Sequence, residues 1–168
     1  LYQVLVFSHT LDGKVIKKYS NTVFLHPIVY SLGHGFKRPQ PKERTLLLQG
    51  QYWKFPTLYF DGKTQQRLFV MLSAAIDRSK HSPPVFNRWT WAQAGKFPGH
   101  VLCIADPTLE LHEDMKLGWY LGTGEHDASE ELSRFILHFA EALGMPADKI
   151  VIWGSSGGGF SALAVTSH

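Results

Sequence analysis

Gly154, Ser156 and Gly158 occupy the three defining places of a G-x-S-x-G pattern, the arrangement that presents a serine hydroxyl for attack on an acyl carbon. The pattern is short, so its context decides its meaning. The run Lys149-Ile150-Val151-Ile152-Trp153 leads in as an apolar strand, and the small residues from Gly157 to Leu163 lead out as a helix. Strand, sharp turn and helix are what such a serine needs, with glycine on either side removing side chains that would collide. Ser156 is therefore the candidate nucleophile. The helix that starts at Gly157 directs its free N–H groups and positive end at the place where a tetrahedral oxyanion forms, which makes the Gly157 amide a candidate donor. Two alternatives stay open. The glycines can form a plain structural loop, or Gly157, Gly159 and Ala162 can be read as the G-x-G-x-x-A of a dinucleotide cradle. A Walker A loop is excluded, because no Lys-Ser or Lys-Thr follows the glycines.

The elements that must position this turn are legible upstream. From Arg67 onward, buried strands alternate with helices, the signature of a mostly parallel α/β sheet. Leu68 to Leu72, Val101 to Ala105 and Ile150 to Trp153 read as its strands. Between the last two, Asp127 caps a helix with Glu130 three residues later, and Leu132, Phe135, Ile136, Phe139, Ala140 and Leu143 recur on one face. Gly144 and Pro146 end that helix. Residues 1–66 read as a β-rich N-terminal part, with strands expected at Tyr2 to Phe7, Lys14 to Tyr19 after an Asp12-Gly13 turn, Thr45 to Gln49 and Thr57 to Phe60. This part is either a small accessory subdomain or the antiparallel edge of the main sheet. Residues 67–168 form the α/β unit that ends just after the elbow.

The region from Arg67 to Ser167, about three-fifths of the chain, resembles the first half of the α/β-hydrolase fold in these strands, the helix from Ser129 to Leu143 and the elbow Gly154-Ser155-Ser156-Gly157-Gly158. More loosely, it is similar to hydrolase-like proteins linked to bacterial surface-glycan synthesis, which implies a glycan-linked ester as substrate. The resemblance implies a second oxyanion donor in the loop after Leu72, within Ser73-Ala74-Ala75-Ile76, with Ala74 as the candidate. It also implies the order Ser, acid, His, with the last two beyond the elbow. Only His168 and no acid follow Ser156, and His168 sits about 18 Å along a helix from it at the usual rise. The reading therefore expects a C-terminal segment or a second polypeptide to complete the fold. It takes the chain, which opens at Leu1, as part of something longer.

The segment from Asp77 to Trp91 mixes cations and aromatic rings beside the expected oxyanion loop. Arg78 and Arg88 are candidates to fork onto a carboxylate or phosphate, His81 to contact substrate, and Trp89 and Trp91 to stack on sugar rings or an acyl chain. A solvated loop with buried tryptophans is the plainer alternative. Asp106, in Asp106-Pro107, either holds a loop or water in the site or simply stops a strand. Leu117-Gly118-Trp119-Tyr120 is a lid, a substrate wall or packing. His112-Glu113-Asp114 and Glu125-His126-Asp127 lack metal-site spacing, and the reading calls for no cofactor.

Composition limits the partners. The chain has 168 residues, 44% of them hydrophobic, and a formal charge of +3, enough for a core and too mild a charge for nucleic-acid binding. No run reaches the ~18 apolar residues of a membrane span. The single Cys103 fits a reducing compartment, so a cytoplasmic location is expected. The function expected is a serine hydrolase of esterase type or an acyl transferase working through an acyl-enzyme on Ser156. A non-catalytic binding module of the same shape, or a nucleotide-binding domain, are the alternatives.

Overall fold

Two strands, Leu68–Leu72 and His100–Ile104, are buried along almost their whole length, and such strands are stable only with cover on both faces. The computed structural model describes residues 4–9, 15–20, 27–32, 37–40, 44–64 and 66–168. In chain order the strands are β1 (Val4–His9), β2 (Val15–Ser20), β3 (Ile28–Ser31), β4 (Thr45–Gln49), β5 (Lys54–Phe60), β6 (Leu68–Leu72), β7 (His100–Ile104) and β8 (Ile150–Trp153). The helices are α1 (Trp89–Gln93), α2 (Ala128–Ala142) and α3 (Gly157–Thr166). β1 and β2 pair as an antiparallel ribbon; Tyr2, Gln3 and the expected Asp12-Gly13 turn lie outside the described residues. The other strands form one mixed sheet in the order β3-β4-β5-β7-β6-β8. β6, β7 and β8 run parallel, and β5 is antiparallel to both of its neighbours. β3, β4 and β5 thus belong to the same sheet that carries the elbow, with β5 alone running against the rest.

Alternation along the strands sorts the core into two layers. Leu68, Val70, Leu72, Leu102 and Ile104 face α2, whose Leu132, Phe135, Ile136 and Phe139 are all but fully buried. Met71, Val101 and Cys103 face the other way, against Phe86 and the Ala92 of α1. Burying a large apolar side chain contributes about 1.5–3 kcal/mol, so the α2 stripe anchors the helix. Its N-terminus is fixed by Asp127, which accepts from the amides of Ser129 and Glu130, and its C-terminus by Gly144 at φ 68, a left-handed conformation suited to glycine. From β6 the chain steps one way to β7 through α1, then back past β6 to β8 through α2. Opposite steps with connections on opposite faces are what a uniform crossover hand demands. The loops after β6 and β8 therefore leave adjacent strand ends, and α1 and α3 continue on opposite faces, which opens a crevice of the kind in which α/β sheets hold ligands.

A buried polar cluster closes the other end of β7. His100 is fully buried, and its Nδ1 accepts from Gly62 N at 3.1 Å beside Asp61 and the Tyr59 hydroxyl. The neutral ring then carries its proton on Nε2, which has no partner. Burial lowers the pKa of His100 below the usual imidazole value, with Asp61 opposing in part. The unfolded chain thus binds this proton first as pH falls. The stability that neutral His100 contributes is complete above about pH 6.5 and is lost below it, at up to about 1.4 kcal/mol per pH unit, the slope for one proton. Urea denaturation of the wild type and of His100→Asn between pH 7 and 5 should show a steeper loss in the wild type; identical slopes would count against it.

Candidate active site

The elbow is built from backbone contacts that exclude side chains. Ser156 adopts φ 53, ψ −126, a conformation that L-residues avoid and that persists only where its surroundings impose it. A Cβ on Gly154 would lie 2.0 Å from Gly158 O and 2.2 Å from Gly158 C. One on Gly158 would lie 2.9 Å from Ser73 O and 3.1 Å from Leu72 O. The end of β8, the first turn of α3 and the end of β6 therefore meet with room for glycine only. The bonds Gly158 N to Ser155 O (3.0 Å) and Gly159 N to Ser156 O (2.9 Å) start the helix beneath the serine. Ser156 itself is exposed, and its hydroxyl has no hydrogen-bond partner among the described residues.

The two candidate oxyanion amides lie on either side of this junction. Ala74 follows Ser73, whose carbonyl faces Gly158, and Gly157 follows the serine. Neither N–H has a backbone acceptor among the described residues, as an amide reserved for a developing oxyanion requires. Tyr120 holds the Ala74 side in place. Its buried hydroxyl accepts from Ser73 N at 2.7 Å and donates to Ile104 O at 2.7 Å, bridging β6 and β7 just where their pairing ends. Burial, with the nearby Asp106 charge, keeps this phenol far above its ordinary pKa. Tyr120→Phe leaves the buried Ser73 amide without its partner, at about 1–3 kcal/mol for an unsatisfied group, while Ile104 O keeps Ser73 Oγ at 3.3 Å. A matching drop in urea stability is expected, and a wild-type midpoint would refute the bridge.

Strain marks the same end of the sheet. Among the described residues, four non-glycine residues have positive φ: Arg88, Trp119, Tyr120 and Ser156. They lie in the loops after β6, β7 and β8, and backbone strain of this kind gathers at functional sites. The paired left-handed residues Trp119 and Tyr120 send one ring outward and one inward: Trp119 is exposed and meets Phe160 of α3 edge to face at 6.4 Å, while Tyr120 is buried. Leu117 packs against the Cα of Gly157. The segment read as lid, wall or packing is thus packing at Tyr120 and surface at Trp119, split at one peptide.

The other predicted residues divide. Arg78, expected to meet a substrate anion, instead donates to the backbone carbonyls of Met115 (2.7 Å), His112 (3.0 Å) and Leu109, so it ties the loops after β6 and β7 together. Asp106 is buried and accepts from Thr108 N at 2.9 Å and Tyr120 N at 3.1 Å. Burial raises its pKa, and these amides, with Gly118, oppose that; it holds a loop. His81 is half-buried in the turn from Asp77. Trp89 packs against the α1-side core, whereas Trp91 is exposed and lies under the Arg88 guanidinium. Residues that sequence reasoning did not place are Asn87, whose amide donates to Leu72 O at 3.3 Å, Trp153 and Phe160. Phe160 had a signal: it stands four residues after the serine, on a helix apolar all round.

No histidine among the described residues bonds Ser156. His100 is in its own cluster, His126 stacks on Tyr52 at 3.6 Å, and His112 accepts from Asp114 N. His168 bonds Ser129 Oγ at 3.1 Å beside Asp127. No group of three metal-ligating side chains gathers among the described residues, and no helix there is long and apolar enough to cross a membrane. Neither a family model, a curated protein nor a solved structure matches this chain.

Proposed function

We propose that the chain carries the nucleophile and oxyanion hole of a serine hydrolase or acyl transferase of α/β-hydrolase type, acting on an ester, with a glycan-linked ester as the substrate class. The observation that carries the reading is Ser156, exposed at φ 53, ψ −126, beside two amides without backbone acceptors. In the reaction, Ser156 Oγ bonds to the ester carbon and its proton passes to a base. The carbonyl electron pair moves onto oxygen, where the Ala74 and Gly157 amides receive it. Collapse of this intermediate expels the alkoxide, which takes the proton back, and leaves an acyl group on Ser156. Water or a sugar hydroxyl then takes that acyl group by the reverse sequence. Leu117, Trp119 and Phe160 form an apolar wall for the acyl chain. We assign the base and its acid to a segment or second polypeptide beyond the described residues, and the protein to the cytoplasm.

The open hydroxyl of Ser156 also favours a second reading, a binding module that keeps the hydrolase shape. Intact mass spectrometry after exposure to a fluorophosphonate separates the two. One adduct on the 19.0 kDa chain, lost in Ser156→Ala, supports the nucleophile. A wild type that stays unlabelled with the completing segment or polypeptide present overturns it in favour of the binding module.

A further inference from the structure

We infer that Arg88 is the substrate-selecting residue of this site and that it takes an anionic oxygen group, a carboxylate or a phosphate, carried by the molecule that reaches Ser156. The inference deepens the proposed function and rests on it for the identity of the nucleophile. Arg88 is an exposed residue tied to the elbow region through the residue before it and through two rings. Asn87 donates to Leu72 O at 3.3 Å, the same carbonyl that Gly158 approaches from the elbow side. The Arg88 guanidinium lies over the rings of Trp91, at 4.4 Å, and Trp153, at 5.2 Å. Trp153 immediately precedes Gly154. The cation therefore rests on the strand that ends in the elbow.

Three properties point to a ligand rather than to packing. First, the guanidinium lies over two ring faces and makes no hydrogen bond among the described residues, which leaves available the N–H fork that matches two oxygens of a carboxylate or phosphate. Second, no carboxylate among the described residues accepts from Arg88, whereas Arg38 pairs with Asp61 at 3.3 Å and Arg134 with Glu130 at 3.3 Å. Third, Arg88 sits at φ 57, where glycine is the inexpensive choice. A long cationic side chain at a strained position is kept for what the side chain does. The other arginine of the same loop, Arg78, is tied up by carbonyls, so the loop presents one fork free of partners among the described residues.

The test reads binding without turnover. In Ser156→Ala protein, the indole N–H resonances of Trp91 and Trp153 are followed while monomethyl succinate, monomethyl phosphate or neutral dimethyl succinate is added. The two anions should bind at least about 10-fold more tightly than the diester, as a charge-assisted bidentate pair implies, and the tighter anion identifies the group. Adding Arg88→Gln should bring the ratio to about one, and Arg88→Lys should restore part of it through charge without the planar fork. Equal affinities, or a preference that survives Arg88→Gln, overturn the inference. Charge-selective binding, together with a Ser156 wild type that fluorophosphonate leaves unlabelled when the completing segment or polypeptide is present, would leave the anion site standing and remove the hydrolase reading; labelling without charge selection would do the reverse.

Discussion

Ser156→Gly should make the protein more stable and strip it of its reactivity in one step. The wild-type angles of φ 53, ψ −126 are the mirror image of an extended conformation common in L-residues, which glycine reaches without penalty. Releasing a strained non-glycine residue returns about 1–3 kcal/mol, and the greater freedom of glycine in the unfolded chain takes back up to about 1 kcal/mol. The expected net gain of about 1 kcal/mol corresponds to a melting temperature higher by about 2–4 °C for a chain of this size. Fluorophosphonate labelling should vanish, and any ester turnover should fall by about 10^4-fold or more, since removal of a nucleophile leaves only binding and the oxyanion hole. Opposite signs for stability and reactivity are the signature of strain held for function. A glycine variant that melts below the wild type would show that the serine is not strained, and residual labelling would show that it is not the nucleophile.

The second large effect falls on the fold. Gly154→Ala places a methyl group 2.0 Å from the carbonyl oxygen of Gly158, and backbone cannot rotate away as a side chain does. The end of β8 and the start of α3 must separate, at a cost of about 3 kcal/mol or more, the upper range for overpacking. Gly159→Ala is the matched control, because its nearest neighbour would be 3.5 Å away and alanine is the better helix former by about 1 kcal/mol. In urea, the Gly154 variant should unfold far earlier than the wild type and the Gly159 variant slightly later. Equal midpoints for the two would mean that the elbow is soft.

Sequence reasoning found what local chemistry encodes. Apolar runs marked β6, β7 and β8 to within a residue, and Asp127, Glu130 and the spaced apolar positions marked α2 in the same way, because strand burial and helix capping act over a few neighbouring residues. The elbow was legible for the same reason: its glycines collide within four positions of one another. What stayed hidden depends on contacts far apart in the chain. Arg78 looked available because nothing in its neighbourhood says that carbonyls more than 30 residues later will reach it. The role of Tyr120 is set by Ser73, 47 positions away. Trp89 and Trp91 have the same side chain and nearly the same position, and only the placement of α1 on the sheet decides which is core and which is surface. β3, Ile28–Ser31, is four residues long like β8 but escaped notice because no adjoining motif of the elbow kind marks it.

The contact between Gly154 and Gly158 also makes the elbow a socket. The atoms that crowd Gly154 and Gly158 belong to the main chain, so the turn itself is indifferent to the element carried at position 156 so long as the side chain is unbranched at Cβ. A thiol can stand where the hydroxyl stands with the same strain and the same view of the two amides, while threonine cannot, since branching at positive φ adds steric conflict. The architecture thus separates the tool from its holder. A lineage, or an engineer, can exchange oxygen for sulfur at this point and inherit the rest of the site unchanged.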